Sequence, residues 1–79
     1  MKFTQYFLHT RERPDRQGIK VEWIEQVFYN PEYQEMQLDG RIRHWGKIQE
    51  ANKYLRVVIL EDKETIHNAF FDRSFELKL

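Results

Sequence analysis

The sequence predicts an α+β domain in which two N-terminal helices pack on a four-stranded antiparallel meander, and three observations carry that prediction. Apolar residues recur at helical spacing only before Pro31. After Pro31 the apolar period shortens to that of strands. An Asp39-Gly40 pair then divides the strand-like region, and this dipeptide is a strong short-range hairpin signal. Helices grouped first and strands grouped after them define the α+β class. The chain has 79 residues, room for one domain spanning 1–79.

The first helix is expected over residues 4–12, where Phe3, Tyr6, Phe7 and Thr10 share a face and Thr4 can serve as N-cap. Pro14 stops it, because the residue before a proline is driven out of the helical region. Pro14, Asp15 and Gly18 mark a loop. Residues 20–29 form the second helix. Val21, Trp23, Ile24, Val27 and Phe28 give it an apolar side, Glu22, Glu25 and Gln26 a polar one, and Asn30-Pro31 ends it.

Strand-like patterning then runs from Tyr33 to Leu38 and from Arg41 to Ile48. The second of these places Arg41, Arg43, Trp45 and Lys47 on one side and Ile42, His44, Gly46 and Ile48 on the other. Tyr54 to Leu60 is nearly all apolar and β-branched at its centre, the pattern of a strand buried on both faces in mid-sheet. Thr65 to Phe71 makes the fourth strand, and Asp72 to Leu79 is a tail that adds a short strand or covers the sheet. One sheet face should hold the helices and leave the other open as a binding surface.

Composition narrows the function. A chain this short buries only about 60% of its unfolded surface. Six Phe, four Tyr and two Trp therefore carry much of the core. The absence of cysteine excludes a disulfide framework, a thiolate metal site and a thiol nucleophile, and favours the cytoplasm. The first eight residues are too short and polar a stretch for a signal peptide, and no apolar run is long enough for a membrane span.

The formal charge is zero, but it is strongly segregated. Residues 1–20 carry five basic and two acidic groups, 21–39 five acidic and none basic, 40–57 five basic and one acidic, and 58–79 three basic and five acidic. If the first and third blocks meet, they form a basic patch beside an acidic helix.

Motif chemistry is sparse. His9, His44 and His67 show no metal-ligand spacing, so no metal and no cofactor is expected. Gly18, Gly40 and Gly46 are isolated and make no phosphate loop, and Ser74, the only serine, lacks the glycines of a nucleophile elbow. What remains is a set of cations and imidazoles: Arg11 and Arg13, then Arg41, Arg43 and His44, then Arg56, then His67 and Arg73. Cleavage of RNA by attack of a 2′-hydroxyl needs a proton acceptor, a proton donor and a cation beside the phosphorane, which histidine and arginine supply without metal. Trp45, Tyr54 or Phe71 could stack on a base. Alternation separates Arg43 from His44 across the sheet unless a bulge intervenes. The plainer reading of the basic residues is solvation plus cross-strand pairing with Glu35, Glu61 or Asp72. The plainer reading of His67 is a hydrogen-bonded core histidine partnered by Asn68, and of Asp72 and Arg73 an ion pair that locks the tail.

Two stretches taken together resemble a known family. The first is Arg11-Glu12-Arg13, Arg16-Gln17-Gly18-Ile19, an amphipathic helix and Asn30-Pro31. The second is Asp39-Gly40-Arg41, Gly46, Leu55-Arg56-Val57-Val58 and a last strand ending in Arg73. In order and spacing the chain resembles the RelE/ParE-like toxin superfamily, its BrnT-like branch in particular, and related short bacterial domains, cyanobacterial ones among them. The resemblance implies two helices on a twisted antiparallel sheet, a toxin–antitoxin setting and metal-independent ribonuclease activity. It implies catalytic roles for Arg43, Arg56, His67 and Arg73, with His67 as acid or base. RNA contact would fall to Arg41, Trp45, Lys47, Tyr54, Arg11 and Arg13, and the partners would be RNA and an antitoxin protein. Departures from the pattern are the six-residue step from His67 to Arg73, where the branch carries arginines five apart, and the neutral charge. The competing expectation is a non-catalytic module of the same fold that binds a protein or a second copy of itself.

Overall fold

The computed structural model describes residues 1–75. The chain runs β1 (Lys2–Phe3), α1 (Gln5–Thr10), α2 (Val21–Tyr29), β2 (Tyr33–Met36), β3 (Ile42–Ile48), β4 (Lys53–Ile59) and β5 (Thr65–Phe71). The strands form one five-stranded sheet in the order β1-β5-β4-β3-β2, with β1 parallel to β5 and the other neighbours antiparallel.

This corrects the expected fold. The class is α+β, but the sheet is five-stranded and mixed, not a four-stranded antiparallel meander, and a strand precedes the helices. Lys2 and Phe3 pair with Thr65 and Ile66, and the Lys2 amide donates to the Glu64 carbonyl at 2.9 Å. Two residues carry no readable period, so sequence pattern could not reveal this strand.

Thr4 caps α1 as expected, its hydroxyl accepting from the Phe7 amide at 3.0 Å. The helix is shorter than its pattern and ends at Thr10, whose buried hydroxyl donates back to the Phe7 carbonyl. The chain then turns through residues 11–18. The hairpin after β2 closes as a three-residue loop: Gly40 donates to Gln37 and Gln37 to Arg41, with Gly40 at φ +91°. A type I turn followed by a left-handed residue makes this connection, and glycine enters that region without steric cost.

Register divides the sheet into two faces. Toward the helices lie rows such as Met36–Ile42–Ile59–Ile66 and Gln34–His44–Val57–Ala69. Ile59, Ile66, Val57 and Ala69 from these rows build the core with Phe7, Ile19, Ile24, Val27, Ile48 and Leu55, while Met36 and Gln34 at the β2 edge stay exposed. Gly46 lets α2 approach β3 closely, since a Cβ there would stand 3.0 Å from the Val27 methyl. The pairing of β4 with β5 slips at Ile59, which pairs with Ile66 while Val58 pairs with Asn68, so His67 is the extra residue of a β-bulge. No helix among the described residues is long and apolar enough to cross a membrane.

Candidate functional site: the open face of the sheet

The face turned away from the helices carries three cross-strand rows: Glu35–Arg43–Val58–Asn68, Tyr33–Trp45–Arg56–Phe70, and Lys47–Tyr54 followed by Asp72 just beyond β5. Strand alternation alone puts these residues on one surface. The middle row is a stack. The Arg56 guanidinium lies 4.9 Å from the Phe70 ring centre and 5.4 Å from that of Trp45. Arg16, from the turn between the helices, reaches the Phe70 ring at 5.1 Å and donates to the Asn68 side-chain oxygen at 2.8 Å. Tyr33 sits 5.6 Å from Trp45 on the side of β2. Guanidinium over an aromatic face contributes about 0.5–1 kcal/mol, and about 2 when shielded from water.

Asp72 organises the row from below. One of its oxygens accepts from the Trp45 indole at 3.0 Å and from Arg56 Nε and Nη2 at 3.1 and 2.7 Å. Its other oxygen accepts from the Ser74 hydroxyl at 2.7 Å and the Ser74 amide at 3.0 Å. Burial by itself would raise the Asp72 pKa, but the bonds from Ser74, Trp45 and Arg56 together outweigh it and hold the carboxyl well below the usual carboxylate range. Asp72 is therefore ionised and fully engaged, with no proton to give and little tendency to take one. The turn after it carries Phe75 back over the face, where Phe75 stacks on Trp45 at 4.8 Å and 14° and touches Tyr54 and Tyr33. The tail covers the sheet as far as it is described; Glu76–Leu79 lie outside the described residues.

The expected site residues fall into two groups. Arg43, Trp45, Lys47, Tyr54 and Arg56 share the open face. Arg43 pairs with Glu35 at 3.4 Å and Arg56 with Asp72, so cross-strand pairing holds for both. Arg73 follows Asp72 and is exposed; Asp72 takes Arg56 as its ion-pair partner in place of Arg73. The remaining expected residues lie elsewhere. Arg41 flanks the hairpin, where Asp39 lies 3.7 Å from its guanidinium. Arg11 lies over the Phe7 ring at 6.0 Å, and Arg13 is exposed in the turn after α1. His67 stands at the bulge, its Nδ1 3.2 Å from the Thr4 hydroxyl and its ring stacked on Tyr6 at 4.7 Å. Burial, then the Arg41 charge, lower its pKa. The Asn68 expected to partner it is taken by Arg16 instead.

His44 lies on the opposite side of the sheet from Arg43, as alternation requires. Its Nδ1 is 3.2 Å from the Phe28 carbonyl, and burial lowers its pKa against the opposing pull of backbone carbonyls of Val27 and Phe28. Among the described residues no three His, Cys, Asp or Glu side chains cluster closely enough to hold a metal ion.

Sequence reasoning missed Arg16, Phe70, Tyr33 and Phe75 as parts of this face, and missed Asp72 as its centre. Period-2 alternation from Arg56 could have found Tyr33 and Phe70 once the strands were in register. Arg16 and Phe75 come from loops, where no period applies. No family model matches the chain, and no match appears among curated proteins or solved structures. Fold and site define it as a small α+β domain with a five-stranded mixed sheet and an arginine–aromatic open face.

Proposed function

We propose that the domain acts on RNA through the open face of its sheet, as a toxin-like protein whose substrate contact is this arginine–aromatic row. The observation that supports the reading is the alternation of ring and guanidinium along Trp45–Arg56–Phe70–Arg16, flanked by the Tyr33 ring. Planar cations and aromatic rings on a sheet suit unstacked bases and the phosphates between them. Phe75 takes the stacking position on Trp45, so bases would meet Tyr33 and Tyr54 at the margins. Arg43, Lys47 and Arg73 are the cations on and beside the face with some exposure to phosphate.

Cleavage asks for more than contact. His67 would have to leave Thr4 and Tyr6 to act as acid or base, and Asp72 is engaged on both oxygens. The reading therefore places recognition on the open face and makes any cleavage depend on His67 being released.

Fluorescence anisotropy with a labelled single-stranded RNA tests contact. Three phosphates neutralised by Arg43, Lys47 and Arg73 predict about a 20-fold loss of affinity between 50 and 200 mM salt, following the slope of about −0.7 per phosphate for single strands. Lys47→Ala and Tyr54→Ala should each weaken binding, and the Lys47 change should also flatten the salt slope. Absence of binding at low salt, or binding indifferent to both substitutions, overturns the reading. A denaturing gel of the same RNA reads cleavage separately, with His67→Ala as the control.

A further inference from the structure

The opposite edge of the sheet carries a feature that RNA contact does not use. β2 is the outermost strand, and all four of its residues are exposed. Its backbone is oriented by the hairpin: Gln37 donates to the Arg41 carbonyl at 2.7 Å, and the register continues through Glu35↔Arg43 and Tyr33↔Trp45. Residues that exchange backbone bonds with a neighbour alternate along an antiparallel strand. Tyr33, Glu35 and Gln37 therefore direct their amides and carbonyls to β3, and Gln34 and Met36 direct theirs outward. No described strand pairs with that outer side.

Edges of this kind are usually blunted by charge. Here the charge is already spent inside the chain, because Glu35 is tied to Arg43 and the Glu32 carboxylate accepts from the Lys47 amide. What the edge offers outward is apolar. Met36 is 69% exposed and Leu38, at the hairpin tip, is fully so. Beside them opens a groove of about 430 Å³ lined by the apolar Phe28, Met36, Ile42 and Ile59 and by the polar Gln34, Glu35, His44 and Lys63. An exposed apolar knob and a groove with both apolar and polar walls thus share one edge, and a two-fold partner would bring each against the other.

We infer that β2 pairs with β2 of a second copy across a two-fold axis at Met36, joining two sheets edge to edge. The register follows from elimination. Pairing Gln34 with Met36 of the other copy sets the two Glu35 carboxylates directly opposite each other, in the closer, non-hydrogen-bonded class of pair. Centring on Gln34 sets Met36 against Glu32, whose amide is already donated to the Trp45 carbonyl inside the sheet. Centring on Met36 avoids both. It sets Met36 against Met36 through two backbone bonds, offsets the Glu35 side chains, and brings Leu38 of each copy beside Gln34 at the mouth of the other's groove. The inference is independent of RNA contact, which uses side chains on the open face, Tyr33 of β2 among them, and not the outward backbone of this strand.

Sedimentation velocity over a concentration series tests it on the whole chain. The weight-average mass should rise from 9.8 kDa toward twice that value. Met36→Pro removes an outward amide and no bond of its own sheet. Leu38→Asp places a charge at the hairpin tip without touching the strand. Each should weaken association about 10-fold or more while the circular dichroism spectrum stays that of the parent. In the parent, amide exchange at Met36 should slow as concentration rises. A chain that remains monomeric at every concentration overturns the inference, whether or not β2 then takes an extended peptide from another protein. A dimer that keeps its affinity in both variants overturns it equally.

Discussion

The two faces of the sheet are built on opposite chemistries. Against the helices, Ile, Val and Leu side chains with Phe7 fill space with few polar atoms, the His44 ring and the buried Thr10 hydroxyl among them. On the open face the same strands present Arg56, Trp45, Phe70 and Tyr33 around one carboxylate. The first face is held by exclusion of water, which is non-directional and tolerant of repacking. The second is held by directed bonds that converge on Asp72, so it has a single point of failure. In so small a domain, a polar hub lets the uncovered face order itself without a second layer of helices.

The largest effects should come from breaking each face at its centre. Leu55 is fully buried under the helices, and Leu55→Ala should cost about 2–5 kcal/mol as its cavity opens. On the open face, Asp72→Ala removes the partner of a shielded guanidinium and of an indole N–H, and a buried pair broken on one side costs about 3–5 kcal/mol. Because Arg56 keeps some access to water, the lower end of that range is expected. Urea unfolding monitored by circular dichroism and by Trp fluorescence reads both. The faces differ in what repairs them. Replacing Arg56 and Asp72 together by Met and Leu should recover the part of the loss that comes from the unpaired guanidinium, leaving only the Trp45 indole and Ser74 donors without their acceptor. No repair of that kind exists for Leu55→Ala. A double variant no more stable than Asp72→Ala would show that the hub is not what distinguishes the faces.

A middle-sized effect tests how tightly α2 is seated on the covered face. Gly46→Ala brings a methyl to 3.0 Å from a Val27 methyl, and Val27 is fully buried and cannot swing away. Overpacking of this kind costs about 1–3 kcal/mol. A thermal midpoint unchanged by the substitution would mean that α2 yields more freely than its packing implies.

The covered face was the more legible of the two. Alternation in Ile42–Ile48 and the apolar run of β4 fix which side chains face the helices, and Thr65–Phe71 emerges with the bounds its pattern gives. Much of the core in the sheet therefore follows from period, whereas Ile19 joins it from the non-periodic segment before α2. The open face resisted because its organisers are not periodic. Arg16 arrives from a turn, Phe75 from the tail, and Asp72 matters through three partners, Trp45, Arg56 and Ser74, drawn from three segments of the chain. The surroundings of His67 were hidden for a related reason: the bulge at Ile59 takes it out of the alternation of its strand, and Thr4 and Tyr6 meet it from a segment distant in sequence. Strand β1 is simply too short to carry a pattern.

The smallest effect concerns protons, and here the faces should separate by pH. His44 and His67 have folded pKa values lowered from the ordinary 6.5, chiefly by burial. The unfolded chain therefore binds more protons than the folded one just below that value, and stability falls as pH drops through it. Asp72 has a depressed carboxyl pKa, so its contribution is intact above the ordinary 3.8 and is lost only at stronger acid. Chemical denaturation between neutral pH and pH about 5 should thus register the histidines alone. His44→Gln should flatten that part of the curve and leave the acid limb in place, whereas Asp72→Asn should remove most of the acid limb and leave the histidine slope. If His44→Gln left the slope between pH 7 and 5 unchanged, its ring would not be held neutral by the covered face, and the contrast between a dry face and a wired one would fail at that ring.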